Sequence, residues 1–185
     1  RTVCFPFAEG TMDYYTDAEI TIRDMIPSDA PAITRGEIAQ GWDQTTAKYE
    51  MRLRHQAEGI CTALVAEYRG DPAGYIHVYR HCRGGPLAYR DLPEIVDFGV
   101  LEKYRGRGIG SRLMDAAETI ASAYSGTVCL GVGLHSGYGS AQRMYIKRGY
   151  IPDGSGVWYR DRVLPPHSDC RNDDELVLYL AKTLR

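Results

Sequence analysis

The sequence predicts a mixed α/β fold, with helices first, then a hairpin, then strand, helix, strand, helix and strand around a sheet with antiparallel and parallel parts. Three observations carry this reading. Two runs of strand formers, Ile60–Tyr68 and Ala73–Arg80, are joined by the turn Arg69-Gly70-Asp71-Pro72 and read as a hairpin. A third strand, Pro93–Leu101, runs through a basic, glycine-rich loop straight into an amphipathic helix. The helix leads on to another strand, which makes a strand–loop–helix–strand crossover.

Composition bounds the function classes. A chain of 185 residues is sized for one domain, and 44% hydrophobic with 25% charged residues is globular rather than disordered. The longest purely apolar stretches, such as Ala63–Ala66, fall far short of the ~18 residues a spanning helix needs. Lys plus Arg is 22 and Asp plus Glu is 24, a net charge of −2 that argues against a nucleic-acid partner. The cysteines Cys4, Cys61, Cys82, Cys129 and Cys170 are widely spaced with no Cys-x-x-Cys pair. They fit neither a zinc knuckle nor a disulfide framework, and read as free thiols in a reducing compartment. No metal site is read. Residues 1–18 show no secretory pattern, so the expected location is the cytoplasm.

The elements follow in order. Residues 1–18 read as an arm or added strand, and 19–185 as a single domain. Glu19–Arg23 alternates through Ile20 and Ile22 as a short strand. Ser28 is the expected cap of a helix running from about Ala30 to Gln40. After the break at Gly41, Asp43–Glu58 has helical composition, with Tyr49, Leu53 and Ala57 spaced by four and Gly59 as the stop. The hairpin comes next, then a loop over His81–Leu92, then the Pro93–Leu101 strand. The helix from Ser111 to about Tyr124 repeats apolar residues at three and four through Leu113, Ala116 or Ala117, Ile120 and Tyr124. Thr127–Leu134 is a strand and Ala141–Arg148 a short helix; further strands are expected near Gly156–Tyr159 and Leu176–Leu180.

The chemistry concentrates at Lys103-Tyr104-Arg105-Gly106-Arg107-Gly108-Ile109-Gly110-Ser111. A turn from strand to helix leaves backbone N–H groups unpaired at the positive end of the helix. Glycine lets that backbone approach a ligand closely. The segment Arg105–Ser111 is therefore suited to phosphate, with Lys103, Arg105, Arg107 and Arg112 adding charge. It lacks the lysine of a P-loop, and its glycines run G-x-G-x-G rather than the G-x-G-x-x-G of a dinucleotide fold. Taken alone, the loop suits a phosphate ligand and a solvated turn equally.

The loop does not stand alone. Arg105-x-x-Gly108-x-Gly110, after the strand Val96–Val100 and before an amphipathic helix, resembles the acyl-CoA-binding motif of the GNAT superfamily of N-acetyltransferases. Ala141-x-x-Met144-Tyr145-x-x-x-Gly149-Tyr150 is similar to that superfamily's second motif, and Ile22-Arg23-x-Met25-x-Pro27-x-Asp29-Ala30 to its opening strand and helix. The resemblance covers roughly residues 20–160, in order and spacing. It implies a central mixed, mostly antiparallel sheet with one parallel, splayed strand pair, flanked by helices.

It also implies a set of roles. The pantetheine arm of acetyl-CoA would pair with the backbone of Phe98, Gly99 and Val100. The pyrophosphate would lie on the amides of Arg105, Gly106, Arg107, Gly108, Ile109 and Gly110, with Ser111 at the helix start. Tyr145 matches the tyrosine near the thioester sulfur, where a phenol of pKa ~10 can protonate a leaving thiolate. Glu94 resembles the glutamate that serves as base in one branch of the superfamily; Asp97 is the second candidate, set by alternation on the opposite face. Tyr138 stands where many members carry an asparagine, and His135 is a loop histidine at a strand end. The implied reaction is direct acetyl transfer to a primary amine of a cationic small molecule or peptide, with a homodimer left open. The alternatives are a non-catalytic CoA-binding domain of the same fold and an unrelated nucleotide binder sharing only the loop.

Overall fold

The computed structural model describes residues 10–184. Residues 1–9 of the expected arm, with Cys4, lie outside the described residues. Among the described residues, nine strands, numbered β1 to β9 along the chain, are hydrogen-bonded in the order β1-β2-β3-β4-β5-β6-β9-β7-β8, mostly antiparallel, with helices flanking the sheet. The chain gathers into two compact units: one holds the chain through His77 with Asp97–Ala117, the other Val78–Val96 with Glu118 onward.

In the first unit, β1 (Asp13–Thr16) pairs antiparallel with β2 (Ile20–Asp24). Strand β2 pairs in turn with β3 (Cys61–Tyr68), from Ile20↔Tyr68 to Asp24↔Leu64. Helix α1 (Asp29–Ala39) starts one residue after Ser28, whose side chain makes no cap bond. Asp29 instead fixes the turn that leads into the helix. Its carboxylate accepts from Ile26 N at 2.8 Å and takes a bidentate pair from Arg23. Helix α2 is shorter than its composition suggested, running Ala47–Ala57, with Asp43–Thr45 outside any helix. Met25, Ile33, Tyr49, Leu53, Val65 and Tyr75 form the core between these helices and strands. Strand β4 (Asp71–Tyr79) is buried along nearly its whole length, as a strand covered on both faces must be.

Strand β5 (Glu94–Val100) runs from the second unit into the first. Asp97, at its centre, has a left-handed backbone, φ 53°. Such a residue breaks the regular alternation of a strand, so the simple two-face rule does not carry from Glu94 to Asp97. Helix α3 (Ile109–Ser122) begins inside the glycine run and stops before Tyr124, which is exposed. Its buried stripe is Leu113, Met114, Ala117 and Ala121.

In the second unit, the start of β5 is parallel to β6 (Thr127–Gly133), with pairs Glu94↔Cys129 and Ile95↔Leu130. Strand β9 (Leu176–Thr183) is antiparallel to β6 along seven residue pairs, and β7 (Ile151–Tyr159) is antiparallel to β9. Strand β7 starts earlier than expected because Pro152, Gly154 and Gly156 hide it; the register shifts between Pro152 and Val157, and both glycines are left-handed there. Arg160 and Asp161, both left-handed, turn β7 into the two-residue strand β8 (Arg162–Val163). Helix α4 is Gly139–Lys147. The segment read as loop over 81–92 contains a short 3-10 turn, Gly85–Arg90.

Candidate active site

The loop after β5 is built as its sequence requires. Gly106 and Gly108 have φ of 75° and 79°, a conformation that a side chain disfavours. The first bond into α3 runs from Arg112 N to Gly108 O at 3.1 Å, so the amides just before it stand at the open N-terminal end of the helix. Gly110 lies close to Phe98: a Cβ at Gly110 would sit 3.1 Å from the Phe98 ring. The basic side chains are held at the surface. Arg107 donates to the Tyr68 hydroxyl at 3.2 Å and lies over its ring, Arg112 lies 4.4 Å from the Tyr15 ring centroid, and Arg105 Nε donates to Val100 O at 3.3 Å. The helix start thus presents backbone N–H groups beside fixed positive charge.

The same unit holds a buried polar cluster. Glu37, fully buried on α1, accepts from the hydroxyls of Tyr49 (2.7 Å) and Tyr75 (2.6 Å) at one carboxylate oxygen. The other oxygen, Oε2, has no hydrogen-bond partner. His77, also fully buried, has no partner at either ring nitrogen and stacks beside Tyr75. Burial is the main reason its pKa falls to about 3, so it is neutral. Asp97 receives Arg52 Nε and Nη2 at 3.0 and 2.6 Å, and Lys48 Nζ stands 3.9 Å away. Burial pushes the Asp97 carboxyl up, but the charges of Lys48 and Arg52, with the Arg52 hydrogen bonds, outweigh it and hold it below the usual range. A carboxylate so held gives its electrons up less readily, which counts against Asp97 as a base.

The second unit carries the other named side chains. Tyr145, on α4, is 6% exposed, and burial above all pushes its phenol pKa up, so the O–H is retained at neutral pH. Glu94 is partly buried at the head of β5, where Oε2 accepts from Arg83 N at 3.3 Å. His135 is engaged at both nitrogens: Nδ1 accepts from Gly137 N at 3.1 Å, and Nε2 meets Asp174 Oδ1 at 2.9 Å. The tautomer this fixes carries its proton on Nε2 and leaves no lone pair for a substrate. Tyr138 donates to the same Asp174 oxygen at 2.8 Å, so the residue at the asparagine position ties its loop to the segment before β9.

The structure brings Phe98, Gly99, Val100 and the 105–111 loop together in one unit, and carries Tyr145 and Glu94 in the other. Sequence reasoning missed the Glu37–Tyr49–Tyr75–His77 cluster. A signal was present: Glu37 continues the stripe Ala30, Ile33, Thr34 on α1, a charge on a face otherwise turned inward.

Residues 59–152, half of the chain, match the family model described as an acetyltransferase (GNAT) domain. An uncharacterised N-acetyltransferase from Chlorobaculum tepidum is 28% identical over 170 residues, covering 90% of this chain and 98% of that protein. Among solved structures, the ribosomal L7/L12 α-N-protein acetyltransferase RimL superposes with a TM-score of 0.70 at 11% identity, covering 97% of this chain and 99% of that one. Arabidopsis thaliana Naa50, solved with a bisubstrate analogue containing CoA, superposes with a TM-score of 0.62 at 17% identity, covering 90% of this chain and 100% of that one.

Proposed function

Because the chain belongs to the GNAT superfamily and is an acyl-CoA-dependent acetyltransferase, we propose that it transfers the acetyl group of acetyl-CoA directly to a primary amine of a cationic small molecule or peptide. The observation that carries the donor half is the run from β5 through two left-handed glycines into the N-terminus of α3. In this reading the amides of Gly106, Arg107, Gly108, Ile109 and Gly110, with Ser111, hold the pyrophosphate, while Arg105, whose own amide donates to Glu102 O at 3.1 Å, adds its charge. The backbone of Phe98, Gly99 and Val100 pairs with the pantetheine arm, and a β5 N–H stabilises the developing oxyanion.

The acceptor enters as an ammonium with pKa ~10.4 and must lose a proton before it attacks. Glu94 takes that proton, directly or through a water. The nitrogen then bonds to the acetyl carbon, the carbon–sulfur bond breaks, the Tyr145 phenol gives its proton to the departing thiolate, and the extra proton left on the acylated nitrogen passes through water to restore the phenol. Burial keeps that phenol protonated at neutral pH, so the proton is there to give. RimL and Naa50 are similar in fold, and RimL's name gives a protein α-amine as its acceptor; a protein N-terminus is thus one acceptor to try here. The free thiols Cys61, Cys82, Cys129 and Cys170 suit a reducing compartment, and we place the reaction in the cytoplasm.

The test is a thermal-shift titration with acetyl-CoA and CoA, with ATP and NAD as controls. A ligand at a hundredfold excess over its Kd stabilises the fold by ~2.7 kcal/mol. Acetyl-CoA is expected to raise Tm and the nucleotides not to; a shift with ATP or NAD alone would overturn the reading. Glu94→Gln is expected to lower kcat/KM for the amine and to shift its pH profile, and an unchanged profile removes Glu94 as the base.

A further inference from the structure

This inference rests on the amine-acetyltransferase reading and names the acceptor's reacting group and its seat. Lys48 projects from α2 into the buried cluster. Its Nζ lies 4.7 Å from the ring centroid of Tyr49 and 5.0 Å from that of Tyr75. It lies 3.9 Å from a carboxylate oxygen of Glu37 and 3.9 Å from one of Asp97. Two aromatic faces and two carboxylates around one primary ammonium are the chemistry by which proteins recognise alkylammonium groups.

Lys48 does not satisfy this cage. Both carboxylate distances exceed hydrogen-bonding range. Glu37 Oε2 is buried without a hydrogen-bond partner, and so are both ring nitrogens of His77 in the same cluster. A pocket shaped for Lys48 alone would close around it, because unpartnered buried polar groups are costly. The cage also adjoins the strand read as carrying the acetyl donor. Gly99 is so near Tyr75 that a Cβ there would lie 2.6 Å from the phenol's ring carbon and oxygen. The Lys48 side chain is 25% exposed, so it has a way out to solvent.

We propose that the cage of Tyr49, Tyr75, Glu37 and Asp97 is the seat of the acceptor's ammonium group, and that Lys48 is its resting occupant, displaced when the acceptor enters. The path Lys48 takes is that of an unbranched butylammonium stem. The acceptor class that fits is a primary amine ending an unbranched alkyl chain, as on a lysine side chain or a linear polyamine. An α-amine sits on a branched carbon beside a peptide group and does not follow that path.

The experiment uses the full chain, acetyl-CoA and three probes: 1,4-diaminobutane, Nα-acetyl-lysine amide, and a lysine-free peptide with a free α-amine, read by CoA thiol release. Both unbranched amines are expected to show kcat/KM at least tenfold above the peptide, and their ratio distinguishes polyamine from lysyl acceptors. Lys48→Met is expected to lower KM for the better amine at least threefold with KM for acetyl-CoA unchanged. Lys48→Arg keeps the charge balance and fills the cage with a larger head, so KM for the amine is expected to rise at least threefold. If Lys48→Met does not fold, Lys48→Arg decides. Preference for the peptide, no use of any probe by a protein that binds acetyl-CoA, or an amine KM unmoved in the folded Lys48 variants overturns the cage. Failure to bind acetyl-CoA overturns the acetyltransferase reading itself.

Discussion

Two partly or wholly buried carboxylates, one in each unit, are treated in opposite ways. Glu118 on α3 is closed on every side. Arg148 Nε and Nη2 donate to its two oxygens at 2.9 and 3.0 Å, and Lys182 Nζ from β9 donates at 2.7 Å. Burial pushes its carboxyl up, but the bonds from Arg148 and Lys182 bring it net below the usual range. Glu37 is more deeply buried, yet keeps one oxygen without a hydrogen-bond partner, and its cation stands off at 3.9 Å. The difference teaches where to look for function. A satisfied network fixes elements together; an unsatisfied one in the same fold keeps polar capacity in reserve for something else.

The largest effect would come from outside both clusters. Tyr145→Phe removes one hydroxyl from the second unit and is expected to lower kcat about a hundredfold with KM for acetyl-CoA unchanged. A fall under threefold in steady-state turnover would show that Tyr145 supplies no proton to the leaving thiolate. Glu118→Ala sharpens the contrast from the structural side. It strands two cations, and chemical denaturation is expected to show a loss of about 2–3 kcal/mol with kcat/KM of the folded enzyme within twofold. Glu37→Gln is the mirror case. Its amide oxygen still accepts from Tyr49 and Tyr75, so stability is expected to move by less than about 1 kcal/mol while KM for the amine rises about tenfold. If Glu37→Gln instead costs as much stability as Glu118→Ala and leaves KM alone, the contrast between the clusters is gone.

The smallest effect is a slope. His77 has a folded-state pKa of about 3 against 6.5 for the unfolded chain. Between those values the unfolded state binds the extra proton, so the neutral His77 contributes stability above pH ~6.5 that drains away as pH falls toward 3, by at most about 1.4 kcal/mol per pH unit. Urea unfolding between pH 7 and pH 4.5 is expected to lose this part of its pH dependence in His77→Gln. An identical slope in the two proteins would mean His77 reaches water or a partner.

Much of the fold was legible because its signals are local. The hairpin, the glycine run and the amphipathic stripe of α3 each declare themselves within a dozen residues. What stayed hidden depends on contacts distant in sequence. Nothing around Ser28 says that its hydroxyl will make no cap bond, or that Asp29 will bind Arg23 and Ile26 N ahead of the helix. Strand β7 was obscured by Pro152, Gly154 and Gly156, whose place in the sheet is secured by β9. Asp97 looked like an ordinary strand position until its left-handed backbone showed the alternation broken. The ammonium cage joins α1, α2, β4 and β5, and no window of sequence contains all four.

The ends of the sheet have a consequence for the protein's behaviour in company. One terminal strand, β8, is two residues long and follows the charged turn Arg160-Asp161; the other, β1, is four residues with an irregular register at Asp13 and Tyr15. Long, flat, unpaired strand edges are templates on which other chains polymerise. Among the described residues the terminal strands β1 and β8 each offer only a few backbone groups in line, and β9 is engaged on both sides by β6 and β7. Terminal strands this short give a second copy little backbone to extend, so β1 and β8 are poor seeds for a sheet that grows from one molecule into the next.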